Sequence, residues 1–96
     1  MTPVGYRYLA KSIDDLLWYA WDPIGVNDPQ GPADEYASYA AKVRDMVFHK
    51  ATADEVFTYL RDAETTNMGL HDANVQRTRQ VADHAITLGE WARGLI

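Results

Sequence analysis

Apolar residues recur at helical spacing along most of the chain, and no stretch shows the strict alternation of a half-buried strand. Ile13, Leu16, Leu17 and Ala20 fall at i, i+3, i+4 and i+7 and make one stripe. Ser12 stands in the N-cap position, with Asp15 three residues on in a capping-box pattern. A first helix is predicted over residues 13–21. Trp18, Tyr19 and Trp21 make it apolar on its other faces as well, which predicts a central or covered helix. It ends at Asp22, because the residue before a proline, here Pro23, is pushed out of the α region. Tyr6-Arg7-Tyr8-Leu9 is too short to build a sheet and is predicted to extend the first helix backwards or to drape across the bundle.

A loop of about twelve residues follows, holding Pro23, Pro29, Pro32, Gly25 and Gly31. That is long for a connection between helices. Asp28-Pro29-Gln30-Gly31 reads as a β-turn, and Ile24 and Val26 are predicted to pack back onto the core. The second helix is predicted from residue 33 or 34 to residue 50, with Asp34 and Glu35 at its start and Lys50 at its end, as the helix dipole favours. Its stripe is Tyr36, Tyr39, Ala40, Val43, Met46 and Val47. Thr52 with Glu55 caps a third helix, striped by Val56, Tyr59, Leu60 and Ala63. Gly69 suits the left-handed residue after a helix end, with Leu70 supplying the accompanying hydrophobic contact. A fourth helix is predicted from near Asp72 to about Arg93. Val75, Thr78, Ala82, Ala85, Ile86, Gly89 and Trp91 form its inner face, extended by Val81, Leu88, Ala92 and Leu95. Gly89 permits the close approach of a neighbour, expected to be Trp18 or Trp21. The fold class is therefore all-α, a bundle of about four helices with a long Pro/Gly loop between the first two. At 96 residues a single domain over 1–96 is expected.

Composition adds exclusions. With 47% hydrophobic and 24% charged residues, the chain has the balance of a folded protein rather than a disordered one. It has no cysteine, so no disulfide, thiolate zinc site or cysteine nucleophile. It has no run approaching the ~20 apolar residues of a membrane span. Residues 1–12 lack the basic and apolar regions of a signal peptide, so a cytoplasmic location is expected. Nine basic against fourteen acidic residues give a formal charge of -5. The basic residues are scattered, and no basic footprint for nucleic acid is visible. An acidic surface suits a basic protein partner, such as the active-site cleft of a nuclease. It also serves solubility alone.

Candidate chemistry fails on spacing. His49, His71 and His84 form no local motif, and H-E-x-x-H is missing. Glu64 has Asn67 at i+3 and Glu90 has Arg93, so the Glu-x-x-His pairs of a di-iron bundle are missing too. His71 and Asp72 beside Glu64 form the one conceivable carboxylate–histidine corner. Asp22, Asn27, Asp28 and Asp34 lack the spacing of a calcium loop. No phosphate-cradling glycine loop and no G-x-S-x-G occur. No catalytic, cofactor-binding or metal site is therefore assigned, and no enzymatic activity is expected.

Trp21-Asp22-Pro23-Ile24-Gly25-Val26 is the most distinctive segment. Locally, Asp22 can accept backbone N–H bonds as an Asx-turn, Pro23 presets the turn, Gly25 can take a positive φ, and Trp21 covers it. Together with Asp34-Glu35-Tyr36, Tyr39, Tyr59-Leu60, Glu64 and Met68-Gly69-Leu70, the segment resembles small helical bacterial proteins of unknown function with a W-D-P-(I/F)-G signature. The resemblance spans about residues 13–70. It implies a short all-helical cytoplasmic protein with no established activity, and it touches candidate toxin-immunity proteins.

Aromatic residues make up 11% of the chain, too many rings for a small bundle to hide easily. They serve packing in the core and at its edge, or an interface, since Tyr and Trp are enriched at interface cores. The leading expectation is a small acidic protein-binding module, an immunity-type inhibitor of a basic toxin being one concrete form. Its partner surface is expected on the second helix: Asp34, Glu35 and Asp45 with exposed edges of Tyr36 and Tyr39. The rival expectation is a homo-oligomer, a homodimer for instance, that buries aromatic surface between copies.

Overall fold

The first helix takes in more of the chain than its capping signal predicts. In the computed structural model, which describes residues 4–21, 36–67, 69 and 74–94, α1 runs Val4–Leu16 and continues into a wide, π-type turn over Leu17–Trp21. Ser12 therefore lies inside a helix and does not cap one. Leu9 explains the difference. It extends the stripe of Ile13, Leu16 and Leu17 one turn back, and all four are buried. Their burial outweighs the local cap. Ala20, predicted on the same stripe, is exposed because the wide turn shifts the register and brings Trp21 inward instead.

Helix α2 spans Ala37–Phe48, with Tyr36 in the N-cap position and no side-chain cap bond there. Residues 33–35 and the Pro/Gly loop lie outside the described residues. At the other end the Lys50 N–H bonds Val47 O (3.2 Å) and the Ala51 N–H bonds Met46 O (2.9 Å). That is a Schellman closure, in which Lys50 is the left-handed residue at φ 67° rather than the last helical residue.

Helix α3, Ala53–Asp62, starts at the predicted box. Thr52 Oγ1 accepts from the Glu55 N–H (3.1 Å), and Glu55 Oε1 accepts from the Thr52 N–H (3.0 Å). It runs into a second wide turn, Ala63–Asn67. Gly69 has the expected positive φ of 69°; Leu70 lies outside the described residues. Helix α4 covers Val75–Gly94. Asn74 caps it, its Oδ1 accepting from the Arg77 N–H at 2.9 Å; the predicted start at Asp72 lies outside the described residues.

The result is an all-α bundle, with no strand among the described residues. Helix α4 packs against all three others. Its small inner residues, Ala82, Ala85, Gly89 and Ala92, permit that. Gly89 does mark a close approach, but the neighbour is Val47 of α2 rather than a tryptophan. A Cβ added at Gly89 would lie 2.9 Å from both Val47 Cβ and Val47 O. Arg93 Nη1, one turn on, donates to the same carbonyl. The bundle measures 38 × 31 × 17 Å, and its short axis is about two helix layers thick. So thin a body has inner faces but little depth. Val75 and Trp91, predicted to face inward, are both about half exposed.

Candidate functional site

A charged residue sits in the middle of the core. Glu64 has no exposed surface, yet it belongs to the stripe of Val56 and Leu60 at i+4 spacing. Its Oε1 accepts from the Trp21 indole N–H at 3.0 Å and from the Thr78 hydroxyl at 2.5 Å. Its Oε2 pairs with the Arg61 guanidinium at 3.0 Å. Four segments meet there: both wide turns, the end of α3 and the start of α4. Every buried side-chain nitrogen and oxygen among the described residues has a partner, so the cluster is a closed internal tie with no group left over for a ligand. Sequence reasoning did not find it. The signal was a glutamate on an apolar stripe, three residues after an arginine. The conceivable corner of His71 and Asp72 with Glu64 lies partly outside the described residues, and Glu64 is already bonded. Among the described residues no group of three or more metal-ligating side chains comes together.

Of the partner surface predicted on the second helix, Tyr36, Tyr39 and Asp45 are among the described residues. Tyr36 is buried, only 3% exposed, and packs its ring against Trp18 and Trp21. The aromatic side chains around the wide turn of α1 draw it inward, so it presents no exposed edge. Tyr39 is half-buried between Trp21 and Tyr59. Asp45 is exposed but engaged with α1: Tyr6 donates its hydroxyl to Asp45 Oδ1 at 2.6 Å and accepts from Arg44 Nε at 2.9 Å. That bond to the carboxylate, with burial adding to it, raises the Tyr6 pKa above the usual phenol value. Asp34, Glu35, Asp22, Pro23 and Gly25 lie outside the described residues. Trp21 is placed, and it serves the buried tie.

Two other features are open to solvent. Between α2 and α3 runs a groove of about 460 Å³, lined by Met46 and Tyr59 with Thr58, Asp54, Glu55 and Asp62. The carboxylates come from one helix: Asp54, Thr58 and Asp62 fall at i, i+4 and i+8, and Glu55 and Tyr59 fall beside them. Arg79 of α4 pairs with Asp54 at 2.8 Å and lies over the Phe57 ring. Asp62 enters no ion pair among the described residues. Burial pushes the Tyr59 phenol up from its usual pKa, so the ring stays neutral in this acidic setting.

The second feature is the face shared by α1 and α4. Leu16 and Ala20 line a cleft with Val81 and His84, and Arg77 and Gln80 lie at one end. The cleft continues past Ser12, Asp15 and Leu88. The exposed Tyr19 of the wide turn lines it, and the same two helices expose Tyr8 of α1 and Trp91 of α4. Tyr8 and Trp91 stack on each other, with ring centroids 4.2 Å apart.

No helix among the described residues is long and apolar enough to cross a membrane. No protein-family model, curated protein or solved structure matches this chain.

Proposed function

We propose that this protein is a small acidic docking module that holds a basic, amphipathic segment of a partner protein in the α2–α3 groove. The supporting observation is the make-up of that groove: an apolar floor of Met46 and Tyr59 beside the carboxylates of Asp54, Glu55 and Asp62. An apolar side chain of the partner covers Met46 and Tyr59, and its lysines or arginines meet the carboxylates. Charge of this kind speeds encounter and selects the sign of the partner, while the buried apolar contact holds it.

An immunity-type inhibitor of a basic toxin in the cytoplasm is a concrete form of this reading. The net charge of -5 and the W-D-P-I-G resemblance both favour it. The module works by occupying a surface, without chemistry of its own.

The test uses two synthetic helical peptides with the same apolar pattern, one rich in lysine and the other rich in glutamate. The lysine peptide should bind, more weakly as salt rises, because screening shortens the reach of exposed charges to about 8 Å at 0.15 M. Thr58→Lys with Asp62→Lys, both at exposed positions, should lower its affinity about tenfold at low salt. Equal binding of both peptides, or binding that the double variant leaves unchanged, would show that the groove is only a solvated surface.

A further inference from the structure

We propose that the α1–α4 face is a self-association surface, on which a second copy of this chain docks. The inference is independent of the groove reading, since it uses the other two helices.

The face has the composition of an interface centre. Tyr8 and Trp91 are 45% and 49% exposed, Tyr19 is 69% exposed, and Leu88 lies beside them along the cleft. Tyr and Trp are the residues that most often anchor an interface, since they cover much area at little rotamer cost. Ser12 and Ala20 between them are small, so the rings stand above a cleft that another helix's side chains can enter. On α1, Tyr8, Ser12 and Asp15 fall at i, i+4 and i+7, on one side of the helix, and Tyr19 of the wide turn lines the same cleft as Ser12 and Asp15. On α4, Arg77, Gln80, His84, Leu88 and Trp91 likewise share one side of the helix. The two helices run antiparallel along the cleft, with Trp91 beside Tyr8 at one end and Arg77 near Ala20 at the other. A twofold copy laid across it brings the Arg77 end of one chain to the Trp91 end of its partner. A guanidinium over an indole face is the most favourable cation–π pair a protein offers.

Charge selects the occupant. The chain carries -5, so two copies repel as they approach. They can meet only through a face that does not share the acidic balance. The α1–α4 face meets that condition. Its one carboxylate in the two stripes, Asp15, is neutralised by Lys11 at 3.3 Å. Arg77 enters no ion pair among the described residues and leaves the face slightly positive. A basic partner of the kind that fits the α2–α3 groove gains nothing here, whereas a twofold copy brings the same non-acidic face against this one, with Arg77 of each chain opposite Trp91 of the other. Contact through this face leaves the α2–α3 groove of each copy outside the contact, so the dimer holds two grooves for a multivalent partner.

Sedimentation velocity on the full chain, from about 5 μM to about 500 μM, tests this directly. A monomer–dimer equilibrium should appear and should tighten as salt rises, because screening weakens the repulsion between acidic chains. Lysine-peptide binding in the groove has the opposite salt dependence, so the two readings fail separately. Trp91→Ala and Tyr19→Ser should each weaken the dimer about tenfold. Tyr19 is so exposed that its replacement leaves the fold intact, which circular dichroism checks. Arg77→Glu should weaken the dimer as well, most at low salt. A chain that stays monomeric throughout the range overturns the proposal. So does a dimer that Tyr19→Ser and Trp91→Ala leave unchanged, or one that loosens with salt.

Discussion

Glu64 shows how much one side chain can hold. Its fully buried carboxylate takes three donors from three segments. Removing one partner of a buried pair strands the others, and the cost is then the desolvation of the groups left unpaired. Glu64→Ala should therefore destabilise the fold by about 3–5 kcal/mol in urea titrations. Glu64→Gln keeps an oxygen for Trp21 and Thr78 and loses only the charge facing Arg61, so it should cost about 1–2 kcal/mol. Equal losses in the two variants would show that the ion pair, and not the hydrogen bonds, makes the tie. Gly89 is a second single-residue constraint. In an exposed helix Gly→Ala gains about 1 kcal/mol, but here the new methyl would lie 2.9 Å from Val47 Cβ and the Val47 carbonyl. Gly89→Ala should cost about 1–3 kcal/mol. Gly94→Ala, whose methyl meets nothing within 4 Å, should not lower the melting temperature. Both glycines carry the same intrinsic helix penalty. Only the position of Val47 separates them.

The helices differ in how far their ends are locally written. Thr52 and Glu55 form a two-way bond within four residues, so that start was legible without any tertiary contact. Gly69 was legible for the same reason, because the left-handed region is open to glycine at no cost. Lys50 was half legible. A lysine near a helix C-terminus fits the dipole, but the sequence does not say which residue takes the left-handed turn. Here it is Lys50 itself, at φ 67°. A side chain there costs about 1–2 kcal/mol that glycine avoids, against glycine's larger loss of chain entropy. Lys50→Gly should raise stability by about 0.5–1 kcal/mol. An unchanged or lower melting temperature would show that the Lys50 side chain makes up for its backbone. The wide turns at Leu17–Trp21 and Ala63–Asn67 were not legible. Each rotates the residues after it off the 3.6-residue stripe, and together they bring Trp21 and Glu64 into contact.

Across the bundle, rings are shared between interior and surface because about two helix layers are all there is. Tyr59 is half-buried, and burial raises its pKa above the ordinary phenol value. Tyr6 shifts the same way, chiefly through its bond to Asp45. The sign follows from linkage. Below about pH 10 both tyrosines are protonated, folded or unfolded, and stability is at its full value. Above that the unfolded chain ionises first, so stability falls as pH rises through the folded-state values. Denaturation midpoints should hold up to about pH 10 and then decline, with a shallower decline in Tyr59→Phe. A flat profile there would mean that the ring is as free in the fold as in the unfolded chain.

The sequence by itself determined the fold class, the existence of four helices and the caps of α3, because helical period and capping chemistry act over four to eight neighbouring residues. It also placed most of the stripe residues inside: Ile13, Leu17, Ala40, Val43, Val56, Leu60, Ala82 and Ala85 are all buried. The tertiary structure decided what depends on the neighbour across the interface. It turned Tyr36 inward against Trp18 and Trp21, left Trp91 outside on Tyr8, set Gly89 against Val47, and gave the carboxylate of Glu64 its three partners. A periodic pattern says that a residue faces something. In a two-layer bundle only the packing of the helices says whether that something is another chain segment or water.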